Sequence, residues 1–296
     1  MKEEYPETMQ EFAGKFRSEA DCYEYLVKVR WKVLLCPYCK HDKLWKYNIG
    51  KVYRCNNCEK DVRVTAGTVF HGSHLPLLTW FYALWLMVSQ KQGVSALGMS
   101  RSLGIKRQKT GWELLSTIRS SMSQKGKEKL SGLVEVDETF VGGIHKGKRG
   151  RGALGKALVL VAVEDKGKPK IGRIRMQIIE DATSINLLKS IEDMIEKGST
   201  IRTDELKSYE MLVKHDYKHV VIKKDLSKEI DSTPLVHRMA SLLKRWILGT
   251  HQGGIHLENL QSYLDEFVFR FNRRTSTSRG KLFYRLIQGM LGVKDR

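Results

Sequence analysis

Residues Leu133 to Gly143 read LVEVDETFVGG, an apolar run that holds the carboxylate Asp137 near its middle and closes on a glycine pair. The pattern predicts a β-strand. A carboxylate inside such a strand is costly unless a cation or hydrogen bonds offset it, which makes Asp137 a candidate for chemistry. Two more strands follow, KALVLVAVE and GRIRMQIIE, separated by Gly and Lys turn signals, so the sheet is expected to begin antiparallel. A helix is then predicted from Ser184 to Lys197, with Ile185, Leu188, Ile191 and Ile195 on one face and Gly198 ending it. After it come a short strand TIRTD, a short helix from Leu206 to Val213, a strand KHVVIK and a helix from Leu235 to Leu248.

The resulting order, βββαβαβα, puts the first strand at the centre of the sheet with the fourth beside it. Asp204, at the end of TIRTD, is then expected to converge with Asp137 on one edge of the sheet. Two such carboxylates suit divalent cations that serve phosphodiester chemistry. A third ligand is expected from LVHRMASLLKRWIL, where His237, Ser241 and Lys244 share one helical face. His237 is the candidate ligand, with Lys244 and Arg245 as phosphate and DNA contacts. Asp265 and Glu266, in LQSYLDEFVFRFNRR, are the alternatives to His237.

Upstream of the strands lie Cys36 and Cys39 in one CxxC and Cys55 and Cys58 in another, at the spacing of a four-cysteine zinc site. Four thiolates close the coordination shell of Zn²⁺, so the centre is structural. Cys22 has no such partner and reads as a core residue. Between Leu75 and Met122 three helical stretches follow. The run SALGMSRSLGIKRQKTGWELLSTIR has the form of a helix-turn-helix whose second helix opens with Lys106, Arg107, Gln108 and Lys109, where base edges would be reached. The basic loop KGKRGRG, with Lys146, Lys148, Arg149 and Arg151, can track a DNA backbone.

The 52 Lys and Arg against 33 Asp and Glu give a formal charge of +19, a field that draws polyanions and argues against a metabolic enzyme. No apolar run has the length of a membrane span, and the start, MKEEYPETMQ, has no secretory character. Nucleic acid is therefore the expected partner, in the cytoplasm. The charged link from Ser123 to Gly132 suggests a boundary, dividing the chain into 1–65, an N-terminal helix and zinc ribbon; 66–125, the helix-turn-helix region; and 126–296, the catalytic domain.

Taken together, CPYC with CNNC, the helix-turn-helix, VDETFVGG, RTDELKSY, HRMASLLKRWILGTHQG and YLDEFVFRFNRR resemble the zinc-ribbon DDE transposases of bacterial insertion sequences. The resemblance implies an α+β, α/β multidomain chain with a ribonuclease-H-like catalytic fold. It implies Mg²⁺ or Mn²⁺ dependence, cleavage and strand transfer at element ends, assembly as a homo-oligomer on DNA, and a place at the bacterial nucleoid. Asp137 and Asp204 match the family's first and second acids. At the third position, where relatives carry Glu seven residues before the Lys of SLLKR, this chain has His237. Two alternatives stay open: a non-catalytic DNA-binding regulator derived from a transposase, and a metal-dependent nuclease that cuts without joining.

Overall fold

The computed structural model describes residues 3–31, 33–123, 126–142, 155–167, 170–223 and 231–293. The chain packs into two compact units, 1–122 with 276–296, and 123–275. The expected divisions at 65 and 125, with everything beyond 126 in one domain, differ from this packing. The ribbon and the helical region share one unit, and the C-terminal helix joins them.

The first unit begins with α1 (Met9–Lys15) and α2 (Glu19–Arg30). Ser18 and Asp21 close a capping box at the start of α2. The ribbon strands β1 (Leu44–Tyr47), β2 (Val52–Cys55) and β3 (Asp61–Arg63) pair antiparallel in chain order. Next comes α3 (Leu77–Ser89), whose N-cap residue, Pro76, offers no side-chain cap. The Glu19 carboxylate supplies one instead, accepting from the backbone N–H groups of Leu77 and Leu78 at 3.0 and 2.7 Å, which ties α2 to α3.

The helical hairpin consists of α4 (Ala96–Ser102) and α5 (Gln108–Ser120), with Gly104 at φ +64° in the turn. Its two helices touch at Gly111, where a β-carbon would stand 2.1 Å from Ser100 Oγ and 3.0 Å from the Ala96 carbonyl. Only glycine lets the helices approach this closely. The last helix, labelled α9 (Arg279–Met290), buries Phe283 among Phe12, Phe16, Tyr25, Phe81 and Trp85, with ring centroids 5.5 to 6.2 Å from it. This aromatic cluster is the reason the C-terminus belongs to the first unit. Cys22 is buried, as its core reading requires, and on α3 Trp80, Phe81 and Trp85 are buried while Tyr82 is partly exposed.

The second unit is built on a five-stranded sheet. Its strands are β4 (Leu133–Gly142), β5 (Lys156–Asp165), β6 (Ile171–Ile179), β7 (Thr200–Thr203) and β8 (Lys218–Val221), in the order β6-β5-β4-β7-β8. β4 pairs antiparallel with β5 and β5 with β6, whereas β7 is parallel to β4 and β8 to β7. The first strand is central and the fourth adjoins it, as the element order predicts. Both faces are covered. On one, Val159, Val161 and Val163 pack with α7 (Pro234–His251) and α8 (Leu260–Asn272). On the other, Val134, Val136, Leu160 and Ala162 meet α6 (Ser184–Met194) and a 3-10 helix, Lys207–His215.

Two local details depart from the sequence reading. α6 ends at Met194 rather than Lys197, because Leu130 pairs with the chain there: its N–H donates to Met194 O and its carbonyl accepts from Glu196 N, both at 2.8 Å. Gly198, at φ +82°, serves the turn into β7. The segment expected as a short helix before β8 is the tighter 3-10 form.

The outer edge of β6 is closed by side chains from α8. Asn272 Oδ1 accepts from Ile174 N at 2.8 Å while its Nδ2 donates to Ile174 O at 3.0 Å. Gln261 does the same for Ile178 N and Met176 O. These amides replace a neighbouring strand and satisfy an edge that would otherwise be open to pairing.

Candidate functional site

The four cysteines expected to bind zinc come together. The sulfurs of Cys36, Cys39, Cys55 and Cys58 all lie within 4.8 Å of one another, with Cys36 to Cys58 and Cys39 to Cys55 at 3.5 Å. Zn–S bonds of about 2.3 Å in a tetrahedron set the sulfurs roughly 3.8 Å apart, so the donor set and its spacing fit a structural zinc ion. Within the cluster the backbone N–H of His41 holds the Cys39 thiol down to about 6, while burial and the neighbouring cysteine sulfurs push the Cys58 thiol up.

In the second unit the same strand that carries the core carries Asp137. Val134 and Val136 face α6, so Glu135 and Asp137 face α7. Glu135 is fully buried and accepts from Val236 N at 2.8 Å, at the start of α7. Arg202 stands 3.7 Å from it. Glu135 thereby fixes the N-terminus of α7 against β4, and with it the height of His237. Sequence reading missed this residue, although its place two positions before Asp137, on the same strand face, is a usable signal.

Asp137 is buried, and burial pushes its carboxyl above the usual range, with the charge of Asp204 adding to the effect. Thr233 Oγ1 donates to Asp137 Oδ2 at 2.5 Å, and Glu138 N donates to Oδ1 at 2.7 Å; both act the other way. His237 Nε2 stands 3.4 Å from Asp137 Oδ2, while its Nδ1 faces Asp231 Oδ2 at 2.8 Å. An ionised carboxylate only accepts, so in the neutral imidazole Nδ1 carries the proton and the Nε2 lone pair points toward Asp137. Asp231 and Thr233 are further residues that sequence reading did not single out. Their one signal is the Asp-Ser-Thr-Pro run that starts α7.

Asp204 follows the last residue of β7. The β4–β7 pairing matches Glu135 with Arg202, and the same register carried two residues on sets Asp204 level with Asp137. One of its oxygens accepts from Leu206 N at 3.0 Å. Among the described residues the cysteines are the one group of three or more ligand residues gathered closely enough to hold a metal ion, and Asp137, Asp204 and His237 are not drawn together to that degree. The donor types, the carboxylates of Asp137 and Asp204 and the imidazole nitrogen of His237, are those that a divalent cation takes.

Lys244 lies two turns along α7 from His237, and its Nζ donates to Thr139 Oγ1 at 3.0 Å, on the strand that carries Asp137. Burial lowers its pKa, and nearby Lys156 adds to this. Arg245 is exposed on the same helix. Glu138, beside Asp137, accepts from the Tyr209 hydroxyl at 2.5 Å.

The structure places the two alternatives for the third ligand on α8. Glu266 is buried against Arg270 at 2.8 Å. Asp265 lines a cavity of about 470 Å³ with Arg175, Gln177, Asp193 and Gln261. In the first unit Lys106, Arg107, Gln108 and Lys109 are exposed at the N-terminal end of α5. Lys146, Lys148, Arg149 and Arg151 lie outside the described residues. No helix among the described residues is long and apolar enough to cross a membrane.

Comparison with known proteins agrees with this layout. Residues 17–61, which contain all four cysteines, match the transposase zinc-ribbon domain. Residues 129–272, which contain Asp137, Asp204 and His237, match the ISXO2-like transposase domain. An uncharacterized protein in transposable element ISH50 of Halobacterium salinarum is 24% identical over 278 residues, covering 86% of this chain and 91% of the relative. Among solved structures, the simian T-cell lymphotropic virus intasome in complex with PP2A regulatory subunit B56 gamma shows a partial likeness. It has 15% identity and a TM-score of 0.34 over 62% of this chain and 70% of the other. The chain thus carries a transposase zinc ribbon followed by an ISXO2-like transposase domain.

Proposed function

We propose that the protein cleaves the ends of an insertion sequence and joins the freed 3′ ends to target DNA, with Asp137, Asp204 and His237 as the ligands of Mg²⁺ or Mn²⁺ in a ribonuclease-H-like catalytic domain. The observation that carries the reading is Asp137: a buried carboxylate on the central strand, facing His237 Nε2 at 3.4 Å and subject to the charge of Asp204. The strand order, with a central first strand and helices on both faces, supports the ribonuclease-H-like assignment.

Divalent cations, when bound, supply the charge that activates the attacking oxygen and steadies the departing one. The remaining steps belong to the chain. Thr233 holds one oxygen of Asp137, and Asp231 orients the imidazole. Lys244, steadied by Thr139, meets a phosphate beside the scissile bond. Water attacks the phosphodiester in cleavage, and the freed 3′-hydroxyl takes its place in joining. Lys106, Arg107, Gln108 and Lys109 bind the element ends, and the basic loop Lys146, Lys148, Arg149 and Arg151, with Arg245, follows the backbone. Zinc holds the ribbon, and two or more copies assemble on the DNA.

The regulator reading draws on His237 standing where relatives carry Glu. Against it, Asp231 keeps that imidazole oriented toward Asp137, an arrangement suited to a metal ligand. Incubating the protein with labelled element ends, target plasmid and Mn²⁺ tests the proposal. Joined product is expected; cut product alone would make it a nuclease, and binding alone a regulator.

A further inference from the structure

The ribbon sheet carries an aromatic surface that its own folding does not use. Trp45 and Tyr47 alternate onto the same face of β1, their rings 5.1 Å apart. The strand pairing sets Arg54 of β2 opposite Trp45, and Asp61 of β3 opposite Arg54, so all four share that face. Trp45 remains 49% exposed. Burying such a ring is normally among the larger gains of folding, and here half of that gain is left unrealised.

The surface is also held ready. Asp61 accepts from the Tyr47 hydroxyl at 2.5 Å and from Arg54 Nε at 2.9 Å, fixing both side chains. The Arg54 guanidinium lies over the Tyr47 ring, 5.8 Å from its centroid. One acid thus spends the ordering entropy of a phenol and a guanidinium before any ligand arrives. Around them the ribbon is strongly basic: from Cys36 to Arg63 there are seven Lys and Arg against three Asp and Glu.

Aromatic rings and a guanidinium plane, set among lysines, match one ligand chemistry: a polyanion with exposed flat bases. A duplex hides its base faces and offers phosphates, for which lysines alone would serve. A protein partner would call for a broader apolar patch free of so many cations. We infer that the Trp45, Tyr47 and Arg54 face of the zinc ribbon is a stacking platform for unpaired bases of single-stranded DNA. The source of such strands, DNA opened or cut at an element end, rests on the proposed transposase reading; the platform itself does not need catalysis.

The test uses the full-length, zinc-loaded protein and fluorescence anisotropy with labelled oligo-dT of about 15 nucleotides, a length within the range of known single-strand sites, and a duplex of equal length. Stacking contributes about 1–3 kcal/mol per base, so Trp45→Ala is expected to weaken oligo-dT binding roughly 5- to 150-fold. Duplex binding should stay close to wild type. Trp45→Phe should retain most of the affinity, yet lose the quenching of tryptophan fluorescence that oligo-dT produces in the wild type. That quenching comparison decides the matter if Trp45→Ala loses zinc. Unchanged oligo-dT affinity in a zinc-loaded Trp45→Ala protein would overturn the inference and turn attention to a protein partner. An equal fall on the duplex, or equal quenching in wild type and Trp45→Phe, would also overturn it. Failure of the cleavage reaction would leave these binding results untouched, so the two readings fail separately.

Discussion

Replacing Asp231 by asparagine should weaken Mn²⁺ binding more than removing the side chain to alanine does. In the native site Asp231 Oδ2 faces His237 Nδ1 at 2.8 Å and Oδ1 accepts from Thr233 N at 3.3 Å. An asparagine can keep only one of these acceptors. If its oxygen stays on Thr233 N, its NH₂ faces Nδ1 and forces that nitrogen to accept, which moves the proton to Nε2. The resulting N–H sits 3.4 Å from Asp137 Oδ2 and would bond to it. A hydrogen bond to a charged group contributes about 1.5–3 kcal/mol, and a metal would have to displace it. Loss of outer partners of metal-bound histidines costs about 10- to 100-fold in affinity, consistent with that range. Asp231→Ala removes the orientation without imposing the wrong tautomer, so affinities should fall in the order wild type, Ala, Asn. Calorimetric titration of Mn²⁺ into protein with its zinc retained measures this. A merely structural Asp231 would rank asparagine above alanine, and that order, or no change, would show that Asp231 does not set the tautomer of His237.

Three further outcomes follow from the geometry. Cys55→Ser should lose the ribbon zinc, seen by metal analysis, and with it the fold of the ribbon, because structural zinc contributes its binding free energy to a small module. Asn272→Ala leaves both backbone groups of Ile174 unpaired, at on the order of 1–3 kcal/mol each, and exposes the β6 edge; a lower Tm and concentration-dependent aggregation should appear together. Asp137→Asn should raise the Tm of the metal-free protein near neutral pH. Its folded-state pKa lies above the ordinary value, so the ionised form costs stability at pH above the raised pKa and the cost vanishes as pH falls below the ordinary one. A Tm lowered by the substitution would show that Asp137 is not strained in this way.

The parts of the fold set by short-range pattern were legible in the sequence. Two CxxC pairs at ribbon spacing announce the sulfur cluster. Three successive strands followed by a helix and a fourth strand bring Asp137 and Asp204 level, and the helical spacing of His237 and Lys244 turns both toward β4. What escaped depends on contacts distant in sequence. Nothing in RGKLFYRLIQGM says that Phe283 belongs with Phe12 and Phe81, because an amphipathic helix does not name its partner. The early end of α6 is decided by a backbone pair with Leu130, and backbone pairing across about 65 residues leaves no compositional trace. Asp231 and Thr233 look like ordinary turn and cap residues, and their second task, at His237 and Asp137, becomes visible only once α7 is seated by Glu135.

In the proposed reaction Asp137 and Asp204 act on the phosphodiester through metal rather than by holding DNA. Cleavage of a labelled element end in Mn²⁺, measured beside binding of the same end for Asp137→Asn and Asp204→Asn, tests it directly. Each substitution is expected to abolish cleavage while end binding stays near the wild-type level. Normal cleavage by either variant would contradict it.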